Sequence, residues 1–379
     1  MNRTGIASLP LHGGKAPSWL TGRMRKLSKE VASIMIHEQG TDVFLARISD
    51  PFWFQAFGCV LGYDWHSSGV TTVVTGVLKQ ALSREEHGIA VCGGKGKTSR
   101  KTPDEIAKVG EEFGFSDQQI GSFVYTSKIT AKIDNSAIQA GYQLYHHAFF
   151  VAENEKWAVV QQGMDPRDRT ARRYHWLADK TSDFVVEPHN AIVGDVKRVT
   201  ALNMTAKTSE GSRKASVDLA KESPKKTMRM FEEAKPTKQK SLQVWLPDSC
   251  QNAFPTRITV DLLAMPRNIN WETMNRLYEF QPKNYEELLS IKGVGPATVR
   301  GLALVAELVY GEKPSWEDPV KYSYAVGGKD GVPYPVNRGS YDEIIGIMRE
   351  TVQQAKIGDK EKVNSLRRLR KLLPEYANS

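Results

Sequence analysis

Tyr142-Gln-Leu-Tyr-His-His-Ala-Phe-Phe-Val-Ala152 and Trp157-Ala-Val-Val-Gln-Gln162 flank the polar residues Glu153–Lys156. Two runs rich in β-branched and aromatic residues around a short polar break predict a β-hairpin. Strand side chains alternate, so His146 and His147 cannot both enter one site. A two-residue turn at Asn154-Glu155 sets His147 opposite Gln162 and His146 diagonal to Gln161. One His–Gln pair then faces a groove while the other meets solvent or core. Working outward, Gly88–Cys92 reads as a buried strand and Gly5–Leu11 as a short one. A helix is predicted after Pro17, where Leu20, Met24, Leu27, Val31 and Ile34 recur at helical spacing. Asp50-Pro51 opens a second, with Phe54, Phe57, Val60 and Leu61, and Val70–Leu82 is a third. Thr102-Pro103-Asp104-Glu105 offers a capping hydroxyl, a first-turn proline and acids facing the dipole, so it starts another. Residues 1–198 are therefore expected to form a mixed α/β domain within an α+β chain.

Charge points to the partner. The 379 residues carry 52 Lys+Arg against 43 Asp+Glu, a formal net charge of +9, which makes nucleic acid the leading class. Cys59, Cys92 and Cys250 lie too far apart for a zinc knuckle or a disulfide framework. No apolar run is long enough to span a membrane and no apolar leader opens the chain, so a reduced, cytoplasmic protein is expected. From Lys197 to Lys240 stand 12 basic residues and five acids. Thr205–Pro224 is poor in large apolar residues, so residues 199–241 are read as a mobile basic linker adding sequence-independent phosphate contacts. Arg367-Arg-Leu-Arg-Lys371 ends a helical extension over residues 315–379. An assembly of identical chains is compatible with this organisation.

The second half holds Tyr285-Glu-Glu-Leu-Leu-Ser-Ile-Lys-Gly-Val-Gly-Pro-Ala-Thr-Val-Arg-Gly-Leu-Ala-Leu-Val-Ala-Glu-Leu308. One helix, with Leu288 and Leu289 on its apolar face, ends near Lys292. Gly293-Val294-Gly295 makes the turn, and Pro296 sits in the first turn of the next helix, where its missing N–H costs nothing. Gly293 and Gly295 let backbone approach a phosphate, and Lys292, Thr298 and Arg300 add side-chain contacts. The pattern resembles the helix-hairpin-helix of DNA repair and replication proteins. It implies an all-α DNA-binding domain over residues 242–314, gripping DNA largely without regard to sequence.

Candidate chemistry lies in the N-terminal half. In Asp64-Trp-His-Ser-Ser-Gly-Val-Thr-Thr72, Ser67 and Ser68 sit at a predicted helix start, where N–H groups and hydroxyls hold phosphate. Asp64 and His66 flank that point, suited to metal binding or proton transfer. Gly93-Gly-Lys-Gly-Lys-Thr-Ser99 fails as a nucleotide loop, because the required first glycine falls on Val91. It reads instead as a phosphate cradle with Lys95, Lys97, Arg100 and Lys101; ATP binding is the alternative. His147 and Gln162 are assigned to catalysis with Asp64 and His66. Asp64, His146 and Asp165 are assigned to a divalent metal, magnesium or manganese. Asp134 is a further candidate. The plainer reading of Asp165–Trp176 is an arginine-rich helix following a surface hairpin.

Several stretches form a signature: Arg3-Thr-Gly-Ile-Ala, Leu9-Pro-Leu-His-Gly-Gly-Lys-Ala-Pro, Asp50-Pro-Phe-Trp-Phe-Gln-Ala, Leu61-Gly-Tyr-Asp-Trp-His-Ser-Ser-Gly-Val-Thr-Thr, Cys92-Gly-Gly-Lys-Gly-Lys-Thr-Ser-Arg-Lys-Thr-Pro and Lys321-Tyr-Ser-Tyr-Ala-Val-Gly-Gly-Lys-Asp-Gly. With the hairpin, they resemble the prokaryotic family catalogued as domain of unknown function number 763. The resemblance implies a DNA-associated protein, a nuclease whose N-terminal domain is similar to the ParB-like nuclease and sulfiredoxin fold. The expectation is a metal-dependent deoxyribonuclease of DNA repair or processing; the alternative is a non-catalytic DNA-binding protein that positions or recruits a repair complex.

Overall fold

Five antiparallel strands in the order β1-β3-β4-β5-β6 form the centre of the chain. They are β1 (Ile89–Lys95), β3 (Gln143–Ala152), β4 (Trp157–Asp165), β5 (Thr170–Leu177) and β6 (Ala191–Gly194). A two-stranded ribbon pairs β2 (Ile138–Gln139) with β7 (Leu202–Asn203). The computed structural model describes residues 18–63, 68–194, 196–234, 265–266, 268–320 and 338–370. The expected strand Gly5–Leu11 lies outside them.

The hairpin forms, with one residue more in its turn than expected. Ala152 N–H donates to the Lys156 carbonyl at 2.9 Å, and Glu155 adopts a left-handed φ of 67°. Three residues therefore sit inside the turn, a common hairpin geometry with an αL residue. The slip moves the register: His147 pairs Gln161 and His146 pairs Gln162. Because strand faces alternate, this places His147 and Gln162 on opposite faces of the sheet. Thr170–Leu177 is a strand rather than an arginine-rich helix, and Arg172 and Arg173 are fully buried in it.

Both faces of the sheet are covered. One receives α1 (Ser18–Ser49, kinked at Gly40), α2 (Pro51–Val60) and α3 (Gly69–Ala81), with Phe54, Phe57, Val74 and Leu78 packing on Phe150 and Val160. Asp50 caps α2 as its sequence indicates, accepting from the Phe52 and Trp53 N–H groups at 2.8 Å. A short helix, α4 (Arg84–His87), leads into β1. The other face receives α5 (Thr102–Phe113) and α6 (Asp117–Lys132), with Ile106, Phe123 and Ile129 against Phe149, Val159 and Trp176. The same core runs on without a break into α7 (Glu210–Lys221), α8 (Pro224–Glu233), α9 (Trp271–Phe280), α10 (Tyr285–Ser290) and α11 (Pro296–Tyr310). Then α12 (Arg338–Gln354) and α13 (Asp359–Arg370) return to α1 and α2, where Arg368 donates to the Val60 carbonyl.

The expected basic linker is a correction. Residues 202–233 are folded: Ser212, Ala215, Ser216, Val217, Leu219 and Ala220 of α7 and Thr227 and Phe231 of α8 are buried. Small residues suffice here because the helices approach closely. Phe231 lies against Gly301 of α11, where a Cβ would collide with its ring, and packs edge-on to Trp271 at 5.7 Å. Three cations point outward in i,i+4 pairs, Lys214 with Glu210, Lys226 with Glu222 and Arg229 with Glu233, while Arg213 turns inward to the Met204 and Ala206 carbonyls. The first described part of the C-terminal extension is equally tied in, since Ser315 bridges to Asn203 and Asp318 forms a buried ion pair with Arg172 at 2.6 Å. Phe231→Ala is expected to lower the unfolding free energy by about 3–5 kcal/mol. Urea denaturation followed by circular dichroism measures this, and a mobile linker would leave the midpoint unchanged.

Candidate nucleic-acid interface

The turn between α10 and α11 has a definite polarity. Asn284 caps α10, accepting from the Glu287 N–H at 2.8 Å, and Leu288, Leu289 and Val294 anchor the unit in the core. Gly293 has φ +101°, and a Cβ there would collide with Thr273 Oγ1 of α9, so glycine is required. Three alternate carbonyls of the turn are held by the body of the protein. Arg276 Nη1 donates to Lys292 O at 3.1 Å, Lys132 Nζ to Val294 O, and Gln139 Nε2 to Pro296 O at 2.8 Å. A trans peptide is planar, so its N–H points opposite to its C=O. Tying back these carbonyls therefore turns the N–H groups of Gly293, Gly295 and Ala297 away from the body. Nothing among the described residues accepts from Gly293 or Gly295.

The side chains expected around this turn divide. Lys292 and Gly293 are exposed, and Gly295 is half-buried in an extended conformation. Thr298 is only 2% exposed and faces the core, which removes it from any DNA contact. Arg300 is half-buried, and its Nη1 lies 3.4 Å from Gln139 Oε1. Thr298 is corrected from a DNA-contacting to a structural position, because its side chain packs inward. Lys128 and Lys132 lie one turn apart on α6. Lys128 is exposed, while burial lowers the pKa of Lys132, whose ammonium is given to Val294 O.

The glycine–lysine segment is a second basic site. A 3₁₀ helix, Gly96–Lys101, joins β1 to α5 and leaves Lys95, Lys97, Arg100 and Lys101 exposed. The Lys95 ammonium sits 5.8 Å above the ring of Tyr145. Glu105 turns inward, accepting from the Gly93 N–H at 2.7 Å and from Lys79 at 2.6 Å.

The expected catalytic and metal residues that are described, His146, His147, Gln162 and Asp165, do not converge. Asp64, His66 and Ser67 lie outside the described residues. Ser68 is buried, with its carbonyl accepting from Gln162 Nε2 at 2.9 Å. Gln162 also contacts Thr71 and Tyr145, and His146 Nε2 meets Thr75 Oγ1 at 2.9 Å, all sealed under α3. Asp165 is held by Arg167 and Arg198, so its carboxylate is already neutralised. Among the described residues, no three His, Cys, Asp or Glu side chains gather to hold a metal.

His147 belongs to a different chain of contacts on the α6 face. Gln161 Nε2 donates to Asp134 Oδ2 at 2.6 Å, which leaves Gln161 Oε1 to accept from His147 Nδ1–H at 2.7 Å. His147 Nε2 then accepts from Ser127 Oγ–H at 2.8 Å. Ser127 is 3% exposed and His147 5%, so this serine–imidazole pair is enclosed in the protein and structural. Asp134 also accepts from Trp176 Nε1 at 3.0 Å and contacts His189 Nε2. His189 reaches a cleft of about 330 Å³ whose walls include Lys197, Asn203, Lys207 and Asp318. Sequence reasoning missed His189, since no spacing links it to Asp134, 55 positions away. It also missed Lys132, Gln139 and Arg276; the i,i+4 pair Lys128–Lys132 was the one signal in the sequence.

The family model described as protein of unknown function (DUF763) matches residues 5–336. The chain belongs to the DUF763 family. No curated protein and no solved structure matches it. No described helix of the DUF763 chain is long and apolar enough to cross a membrane.

Burial gives the DUF763 chain a pH response. It pushes His146 down to about 3, His147 to about 4 and His175 well below the ordinary histidine value. Each is neutral when folded, while the unfolded chain takes up protons near pH 6.5. This contribution to stability is complete above pH 6.5 and is lost as pH falls towards 4, because the unfolded state then binds more protons. Burial raises Asp134, which acts in the opposite sense. The urea midpoint should therefore fall between pH 7 and pH 5, and His147→Gln should shrink that fall. A midpoint flat over this range would mean that the histidines are protonated in the fold.

Proposed function

We propose that this DUF763 protein binds DNA without regard to sequence through the turn Lys292–Ala297, and so positions DNA for processing or repair. The observation that carries this reading is the tying back of the Lys292, Val294 and Pro296 carbonyls, which aims three N–H groups outward beside an exposed lysine. Backbone N–H groups at a helix start donate to a phosphate oxygen whatever the base, so they fix position rather than sequence. The helix-hairpin-helix likeness of Tyr285–Leu308 and the net charge of +9 support the same reading. The likeness to ParB-like nucleases contributes nothing further, because residues 64–67 of its loop, Gly62–Thr72, lie outside the described residues.

Cleavage of the bound DNA is the second reading, favoured by one observation. A buried carboxylate, Asp134, holds the imidazole of His189 at a cleft wall, the arrangement of an oriented general base. The expected magnesium or manganese set does not fit the described residues: His146 is enclosed and Asp165 is ion-paired, so no step is drawn through a metal. Labelled DNA incubated with magnesium, manganese or chelator separates the readings. His189→Gln, Asp64→Ala and His66→Ala each test a named group, and a fall in rate of about a hundredfold or more marks general acid–base help. Absence of cleavage by the parent leaves the binding reading alone.

The turn itself has a clean probe. A Cβ at Gly295 would meet nothing nearer than Gly293 O at 3.9 Å, so Gly295→Val should fold normally while placing bulk beside the phosphate position. DNA affinity by fluorescence anisotropy should fall at least about tenfold, the scale of one charge-assisted hydrogen bond. Gly293→Val should instead lower stability, because of its positive φ and Thr273. A well-folded Gly295→Val protein with parental affinity would show that the turn is structural only.

A further inference from the structure

Resting on the hairpin reading, we infer that the turn and the glycine–lysine segment are two ends of a single track for a DNA duplex, with Lys128 between them. The packing of α5 on α6 fixes this. Gly110 of α5 lies directly against Ile120 of α6, and the helices run antiparallel through Gly114, whose φ of 78° ends α5, and Ser116, whose capping box starts α6. Eight residues back from Gly110 is Thr102; eight on from Ile120 is Lys128. Thr102, and Lys101 before it, therefore stand beside Lys128 across one helix–helix spacing of about 8–10 Å. One turn further along α6, about 6 Å, is Lys132, whose ammonium grips Val294 O in the turn.

The exposed cations Lys97, Arg100, Lys101, Lys128 and Lys292 thus succeed one another over a distance on the order of 25 Å. That is roughly seven base pairs at about 3.4 Å per phosphate along a strand. The cations outnumber the carboxylates along the track: Glu105 is turned inward to Lys79, while Glu286, which accepts from the neutral Tyr125 hydroxyl at 2.6 Å, and the exposed Asp104 stand against the five cations. A stiff occupant with regularly spaced phosphates can engage both ends at once; a short one reaches only one. The duplex is such an occupant.

The test uses the full chain and labelled hairpin duplexes with stems of about 4 and about 20 base pairs, the shorter covering only about half of the track, titrated over a range of salt. The triple variant Lys97→Ala/Arg100→Ala/Lys101→Ala and the single Lys128→Ala change only exposed side chains. On the long duplex, the triple variant should bind roughly tenfold or more weakly. Its slope of log affinity against log salt should flatten by about 0.9 for each phosphate that is no longer neutralised. Lys128→Ala should flatten that slope by about 0.9, the share of a single phosphate, and on the short duplex both should stay near the parent. If the triple variant keeps parental affinity and slope on the long duplex while Gly295→Val is weakened, the single track is wrong and the hairpin reading stands. The same dependence on a single strand of equal length would overturn the duplex as occupant. No salt-dependent binding by the parent to either duplex would overturn the hairpin reading, and the track with it.

Discussion

A sheet covered by helices on both faces must satisfy every polar side chain it carries from inside the protein, since an unpaired buried polar group costs about 1–3 kcal/mol. Strands β3 to β5 carry many: His146, His147, Gln161, Gln162, Arg172, Arg173 and His175, all buried. Several of the contacts that satisfy them also fix a helix or segment. Gln162 holds the Ser68 carbonyl at the start of α3, and His175 Nδ1 meets Ile48 O near the end of α1. Arg172 holds Asp318. Gln161 holds Asp134, which closely follows α6. Fixing the end of α6 fixes Lys132, and Lys132 fixes the turn between α10 and α11. The orientation of the candidate phosphate grip is in this sense set by a buried amide on a strand.

The elements were legible where local chemistry decides them. Asp50-Pro51, Thr102-Pro103 and Gly293-Val-Gly-Pro296 each mark a helix start close to where it is expected, but Thr102 lies inside α5, its hydroxyl donating to Ser99 O at 2.8 Å instead of capping the helix. The hairpin was legible but its register was not, because turn length depends on whether Glu155 takes up a left-handed conformation, which sequence does not dictate. That single residue reassigns the partners of both histidines. The basic stretch misled for a different reason. Ala, Ser and Gly pack well only when another helix comes close, and that closeness depends on Gly301 and Phe231, far apart in the chain. The burial of Arg172 and Arg173 in a strand was not legible, because their partners, Asp318, Gln55 and Thr71, come from distant segments.

The turn is held by residues on three different elements, α6, β2 and α9, rather than by its own helix pair. An αα-hairpin with only its own two helices leaves its turn carbonyls to water. Here two cationic side chains and one amide engage them, so the outward N–H groups are set before any ligand arrives. Pre-organisation of that kind lowers the ordering cost of binding. It also places Lys292 and the N–H groups of Gly293, Gly295 and Ala297 on a surface shared with α6.

Arg368 and the carbonyl of Val60 meet across 308 positions of chain. Met348, Val352 and Leu369 fill the same core as Phe57 and Val60. During synthesis, the apolar faces of α1 and α2 therefore emerge long before the helices that cover them. Contacts of such long sequence separation form late and slowly, and uncovered apolar surface invites association in the meantime. The layer formed by α1 and α2 is completed only when residues up to 308 positions later have been made, so its apolar face stays uncovered longest in the nascent chain.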